Sequence, residues 1–119
     1  MYIAHKWGKE LGSLLFLVQV IGVHESVEGV VMPKTLVWDL QDQDGNIVNN
    51  RQDVVVSSLG LDNYILLSGN DLAISSGEAH KSFVRRHLVV KATYDGDFGT
   101  DLPAHEMITF PVQNLNLGA

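Results

Sequence analysis

Short runs of apolar residues alternate with turn formers along this chain. Turn signals recur about every dozen positions, the spacing of an all-β domain. They are Gly12-Ser13, Glu28-Gly29, Met32-Pro33, Asp44-Gly45-Asn46, Ser68-Gly69-Asn70, Ser75-Ser76-Gly77, Asp95-Gly96-Asp97 and Leu102-Pro103. Residues 14–24 predict a long strand, buried on both faces near its middle. In 34–41, Leu36, Trp38 and Leu40 face one way and Thr35, Val37, Asp39 and Gln41 the other. That period of two marks a half-buried strand. The Asp44-Gly45 turn supplies positive φ for a tight hairpin, so 46–50 should pair antiparallel with 34–41. Shorter strands are expected at 53–57 and 63–68. In 84–94, Leu88, Val90, Ala92 and Tyr94 share one face, and Arg85, His87, Val89, Lys91 and Thr93 the other. The last strand, 107–114, turns Ile108, Phe110 and Val112 inward and Pro111 outward. Proline cannot donate to a ladder, so this strand has an edge-like neighbourhood. Only 71–82 could hold a short helical turn. The expected fold is an all-β antiparallel sandwich of about seven strands. It forms one domain over 1–119, with 1–12 an N-terminal arm or the first strand.

The segment Lys34-Thr35-Leu36-Val37-Trp38-Asp39-Leu40, followed by Asp44-Gly45-Asn46, resembles the C and C′ strands of immunoglobulin-like or fibronectin-type domains. Arg86 to Tyr94, a glycine-rich loop and Met107 to Leu115 are similar to their F and G strands. The resemblance spans residues 14–115 and is architectural. The cysteine pair of antibody domains is missing, and Tyr94 ends its strand where a tyrosine corner wants it near the start. A short cysteine-free chain of this shape also resembles accessory proteins of bacteriophage particles or related contractile assemblies, most strongly over Leu88–Leu115. That likeness implies a structural role rather than a reaction.

Composition narrows the classes. With 119 residues there is room for one core, and 45% hydrophobic against 18% charged residues excludes a disordered acidic tail. No cysteine means no disulfide and no thiolate metal site. Eight Lys+Arg against 14 Asp+Glu leave a net charge of −6, the wrong sign for binding nucleic acid. The longest apolar run, Leu14–Val23, is broken by Gln19 and is about half the ~20 residues of a membrane span. Lys6 and Lys9 ahead of residues 11–23 invite comparison with a signal peptide. Glu10 at its edge and the lack of a small-x-small cleavage site favour an ordinary buried strand. The chain is therefore expected in the cytoplasm or inside an assembled particle, without contact to membrane.

Candidate chemistry is sparse. Placing Gly45 at position six of a calcium loop puts Leu40 at position one and Arg51 at twelve, so the EF-hand register fails at both ends. Asp95, Asp97 and Asp101 could hold a weak Ca²⁺, or simply form a solvated turn. His24-Glu25-Ser26-Val27-Glu28 lacks the second histidine of a zinc-protease motif. His5, His80, His87 and His105 have no partners at ligand spacing. There is no nucleophile elbow and no phosphate loop. Lys81, Arg85, Arg86 and Lys91 read as a solvated sheet face. Trp38, Tyr64, Phe83, Tyr94 and Phe110 read as core, leaving Tyr2, Trp7 and Phe98 outside.

By exclusion, a non-enzymatic structural or protein-interaction module is expected, without cofactor or metal, acting through a protein partner or self-association. Tyr2, Ile3 and Trp7 are the candidate contact residues. They are costly to leave in water, and Gly8 and Gly12 could swing the segment 1–10 onto another copy. The alternative for that segment is the first strand of the chain's own sheet. The alternative function is a Ca²⁺- or carbohydrate-binding module using loops 42–46 and 95–101. A small hydrolase would need His24 or His105 beside a carboxylate in a pocket.

Overall fold

The computed structural model describes residues 1–7 and 12–114. Its strands are β1 (Tyr2–Trp7), β2 (Ser13–His24), β3 (Val27–Val31), β4 (Thr35–Gln41), β5 (Val54–Val55), β6 (Asn63–Ser68), β7 (Phe83–Gly96) and β8 (Gly99–Gln113). Strands make up 62% of the structure, far above the roughly 20–25% of an average domain, and form two antiparallel sheets packed face to face. The expected helical turn is two 3-10 turns, Gly69–Leu72 and Ser76–Glu78.

In the first sheet, β2 is central. β1 runs along one edge, from Tyr2↔Gln19 to Trp7↔Leu14. The opposite edge is shared: β6 pairs with Ser13–Val18 and β3 with Val20–His24. The second sheet has the order β5-β4-β7-β8. Alternation decides which side chains meet between them. Leu14, Phe16, Val18 and Val20 of β2 face Leu36, Trp38 and Leu40 of β4, with Leu88 and Val90 of β7, all buried. Phe16 and Phe110 join the layers with ring centroids 5.2 Å apart, and His5 stacks on Phe16 at 4.9 Å.

Several expectations change. Residues 1–7 do not leave the body, because β1 is the first strand of its own sheet. Residues 46–50 make only the bridge Gln41↔Ile47. Asn49 and Asn50 take positive φ (56° and 58°) and curl the chain, so β5 occupies the place beside β4. β3 lies where turns were expected. The turn is instead Glu25-Ser26, both at positive φ (51° and 64°), without the Gly, Asn or Asp that signals it. The final strand begins at Gly99 rather than 107. Arg86 is not on a solvated face: it occupies a core-side register of β7 and is 3% exposed.

Close approach of the two sheets at one end requires glycine. A Cβ on Gly96 would lie 2.7 Å from the carbonyl oxygen of Val23, and one on Gly22 would lie 2.6 Å from the Tyr94 ring.

Candidate functional site

The carboxylates of the acidic loop at 95–101 diverge. Asp97 accepts the Glu25 N–H at 2.9 Å on Oδ1 and the Ser26 N–H at 2.7 Å on Oδ2, while its own N–H donates to the Val23 carbonyl at 2.8 Å. It thus clamps the β2–β3 turn from the β7–β8 turn and satisfies two donors held at unfavourable φ. Asp95 and Asp101 instead flank the Lys34 ammonium at 3.3 and 2.7 Å. The Asp101 N–H, then Lys34, holds the Asp95 carboxyl below its usual range, and hydrogen bonds to Asp101 and Asp95 raise Lys34. In the other loop, Asp42 Oδ1 accepts the N–H groups of Asp44 and Asn46 at 2.9 and 3.0 Å, closing its own turn. The Asn46 N–H is the main reason the Asp42 carboxyl titrates low. Among the described residues, no group of three or more His, Asp or Glu is placed to hold a metal ion.

The other charges are structural partners as well. Arg86 makes a two-pronged contact with Glu78, at 2.9 and 3.3 Å. Arg51 pairs with Asp71, whose other oxygen accepts the Ser68 N–H at 3.0 Å. Lys91 lies between Asp39 (3.2 Å) and Asp53 (3.3 Å) on the outer face of the second sheet. His87 Nδ1 meets Thr109 Oγ1 across the β7–β8 ladder at 2.7 Å.

What these side chains leave open is an apolar surface on the first sheet. Leu15, Leu17, Ile21 and Val23 alternate with the core residues of β2 and are only partly covered on its outer side. Tyr64 and Leu66 of β6 stand beside Leu17 and Leu15 on that face, and both are 56% exposed. Ala4 and Tyr2 of β1 continue it on the other side, beside Leu17 and Gln19. A shallow groove of about 390 Å³ follows the edge of β6, lined by Trp38, Val55, Ser57, Asp62, Tyr64 and Leu66 among others. It contains one carboxylate, Asp62, which accepts Gln19 Nε2 at 2.7 Å, and no histidine.

Sequence reasoning placed only part of this surface. Tyr2 is half exposed on the outer face, whereas Ile3 packs partly buried against the core. The side chain of Trp7 lies outside the described residues. Trp38 and Phe110 are buried as expected, but Tyr64 and Phe83 are exposed. In Asn63–Ser68 both alternating sets are apolar, so pattern alone could not choose the inward one. Asn63 chooses it: buried, it donates Nδ2 to the Val18 and Gly60 carbonyls, which turns Ile65 and Leu67 inward and Tyr64 outward.

The two long flanks of the sandwich differ in their edges. On β8, Pro103 and Pro111 stand opposite Thr93 and Arg85, and the N–H of Met107 donates to its neighbour Glu106 Oε1 at 3.0 Å. Two prolines and a carboxylate therefore take up the outward donor positions 103, 107 and 111 of that edge, between those of His105 and Thr109. β6 carries no charged residue and no proline. The Ser68 N–H turns to Asp71 and the Val18 carbonyl faces Asn63, so alternation points the N–H and C=O groups of Tyr64 and Leu66 away from β2.

No family model, curated protein or solved structure matches this chain.

Proposed function

We propose that this chain is a non-enzymatic structural or protein-interaction module that works through the outer face and free edge of its first sheet. The observation that carries this reading is the contiguous apolar surface of Leu15, Leu17, Tyr64 and Leu66. A contiguous exposed apolar patch on a soluble domain marks an interaction site. The engagement of the loop carboxylates by Lys34 and by backbone N–H groups gives the calcium or carbohydrate alternative no comparable support. We read the sandwich as immunoglobulin-like. The order β5-β4-β7-β8 corresponding to C′-C-F-G, and β1-β2-β6 to A-B-E, supports that reading. Its role in a phage-derived or similar multi-protein assembly rests on the likeness of Leu88–Leu115 to accessory proteins of such particles.

A photo-crosslinking residue at Leu17 tests the proposal in extracts of the source cell. A protein adduct is expected from Leu17 and none from the same group at exposed Lys81. Absence of any adduct at Leu17, or turnover of a substrate by the purified chain, refutes it.

A further inference from the structure

We infer that the occupant of the β6 edge is a second copy of this chain, paired antiparallel through β6 about a two-fold axis at Ile65. The inference rests on the interaction-module reading and names its partner. Three observations favour a copy of the same strand. First, the outward N–H and C=O groups belong to Tyr64 and Leu66, two residues apart. An axis through Ile65 sets Tyr64 opposite Leu66 of the other copy, and Leu66 opposite its Tyr64. Each is a hydrogen-bonded pair, so four backbone bonds close at once. The same operation lays each Tyr64 ring beside a Leu66 side chain on the outer face, a favourable aromatic–aliphatic cross-strand pair.

Second, charge permits it. The chain carries −6, so copies repel in general, yet Asn63–Ser68 is uncharged. Third, the β8 edge is blocked against strand addition by Pro103, Pro111 and the Glu106 carboxylate, whereas β6 has none of these devices. β6 is therefore more open to strand addition than β8, the long edge strand on the other flank. The product is a first sheet that runs β1-β2-β6 and then β6-β2-β1 of the second copy.

Light scattering across a micromolar-to-millimolar series reads the result. The wild-type mass should rise from 13.1 kDa to twice that value. Leu66→Lys puts a charge on the bare edge at an exposed position and should hold the mass at one copy, with an unchanged near-ultraviolet circular dichroism spectrum. Met107→Lys, on the guarded edge, should dimerise like wild type. In the wild-type dimer the Tyr64 and Leu66 amides should exchange hydrogen at least tenfold more slowly than in dilute monomer. A wild type that stays monomeric throughout overturns the pairing, while the module reading stands or falls on the Leu17 adduct. A dimer that survives Leu66→Lys, or forms with both amides unprotected, also overturns the pairing and moves self-association to another surface.

Discussion

Replacing Glu78 by alanine should cost far more than replacing its partner Arg86 by methionine. The asymmetry follows from where the two groups sit. The Arg86 side chain is 3% exposed, between Val84 and Leu88 on the core side of β7, and the Glu78 carboxylate on its 3-10 turn is 26% exposed. Without Glu78, a guanidinium stays buried without its hydrogen-bonded carboxylate, left with the Arg85 carbonyl and the weaker field of Asp42, a loss of about 3–5 kcal/mol. Methionine at 86 fills a similar volume with an unbranched apolar chain, and Glu78 can turn to water, so that variant should lose about 1 kcal/mol or less. At roughly 4 °C per kcal/mol for a domain of this size, Glu78→Ala should melt about 12 °C or more below wild type. Arg86→Met should stay within a few degrees. The assay is thermal unfolding at pH 7 followed by circular dichroism, with urea titration to check that the slope is unchanged. The pH dependence supplies a second readout. Arg86 lowers the Glu78 carboxyl, so its contribution is full above the ordinary carboxylate pKa and is lost as pH falls through the lowered one. Arg86→Met should flatten that part of the acid limb. Equal losses for the two variants would refute the argument that burial of the cation, rather than the bond itself, sets the cost.

Three further outcomes are expected. Gly96→Ala should destabilise by about 2 kcal/mol or more, because its Cβ meets a backbone carbonyl that cannot rotate away; a melt equal to wild type would mean the sheets do not approach there. Burial lowers the His5 pKa, so stability should be full above about pH 6.5 and decline as pH falls below it, and His5→Leu should remove that part of the slope in denaturant titrations. Millimolar Ca²⁺ or a chelator should leave the melting temperature unchanged, since Lys34 neutralises Asp95 and Asp101 while Asp97 holds the Glu25-Ser26 turn; a rise of several degrees with Ca²⁺ would show the carboxylates rearranging around the ion.

The central strands were legible because only one face of each was ambiguous or none was. Leu36, Trp38 and Leu40 alternate against a set that is polar except for Val37, and Leu88, Val90 and Ala92 against one that is polar except for Val89, which fixes both register and burial. Elements failed where a tertiary contact overrules the local signal. Glu25-Ser26 makes a tight hairpin because Asp97, 71 or 72 residues away, supplies acceptors for its N–H groups. Asp44-Gly45 makes its turn, yet the strand after it is lost because Asn49 and Asn50 adopt left-handed backbone; Asn49 Nδ2 donates to the Asp71 and Ala73 carbonyls. Arg86 was misread for a related reason: its position on the inward face of β7 is tolerable only because Glu78 arrives from a separate turn.

The candidate surface was harder to read than the core because it is defined by what is missing. An apolar β2 was visible in Leu14–Val23, and so was the prospect that both of its faces need cover. Its inner face is covered by the second sheet, but nothing in Leu15, Leu17, Ile21 and Val23 says that their side of the sheet stays partly open. That depends on β1 and β6 flanking the strand without crossing over it, a fact of topology. The free edge is legible only by contrast. Pro103, Pro111 and Glu106 act as guards once β8 is known to be an edge, and the lack of any such residue in Asn63–Ser68 acquires meaning once β6 is known to be one too. β6 and β8 are two of the edge strands, beside β1, β3 and β5, and a chain that protects one of the two with three devices and the other with none places them under different constraints. The guarded edge must stay single in water, and the bare edge is free to carry hydrogen bonds to another strand.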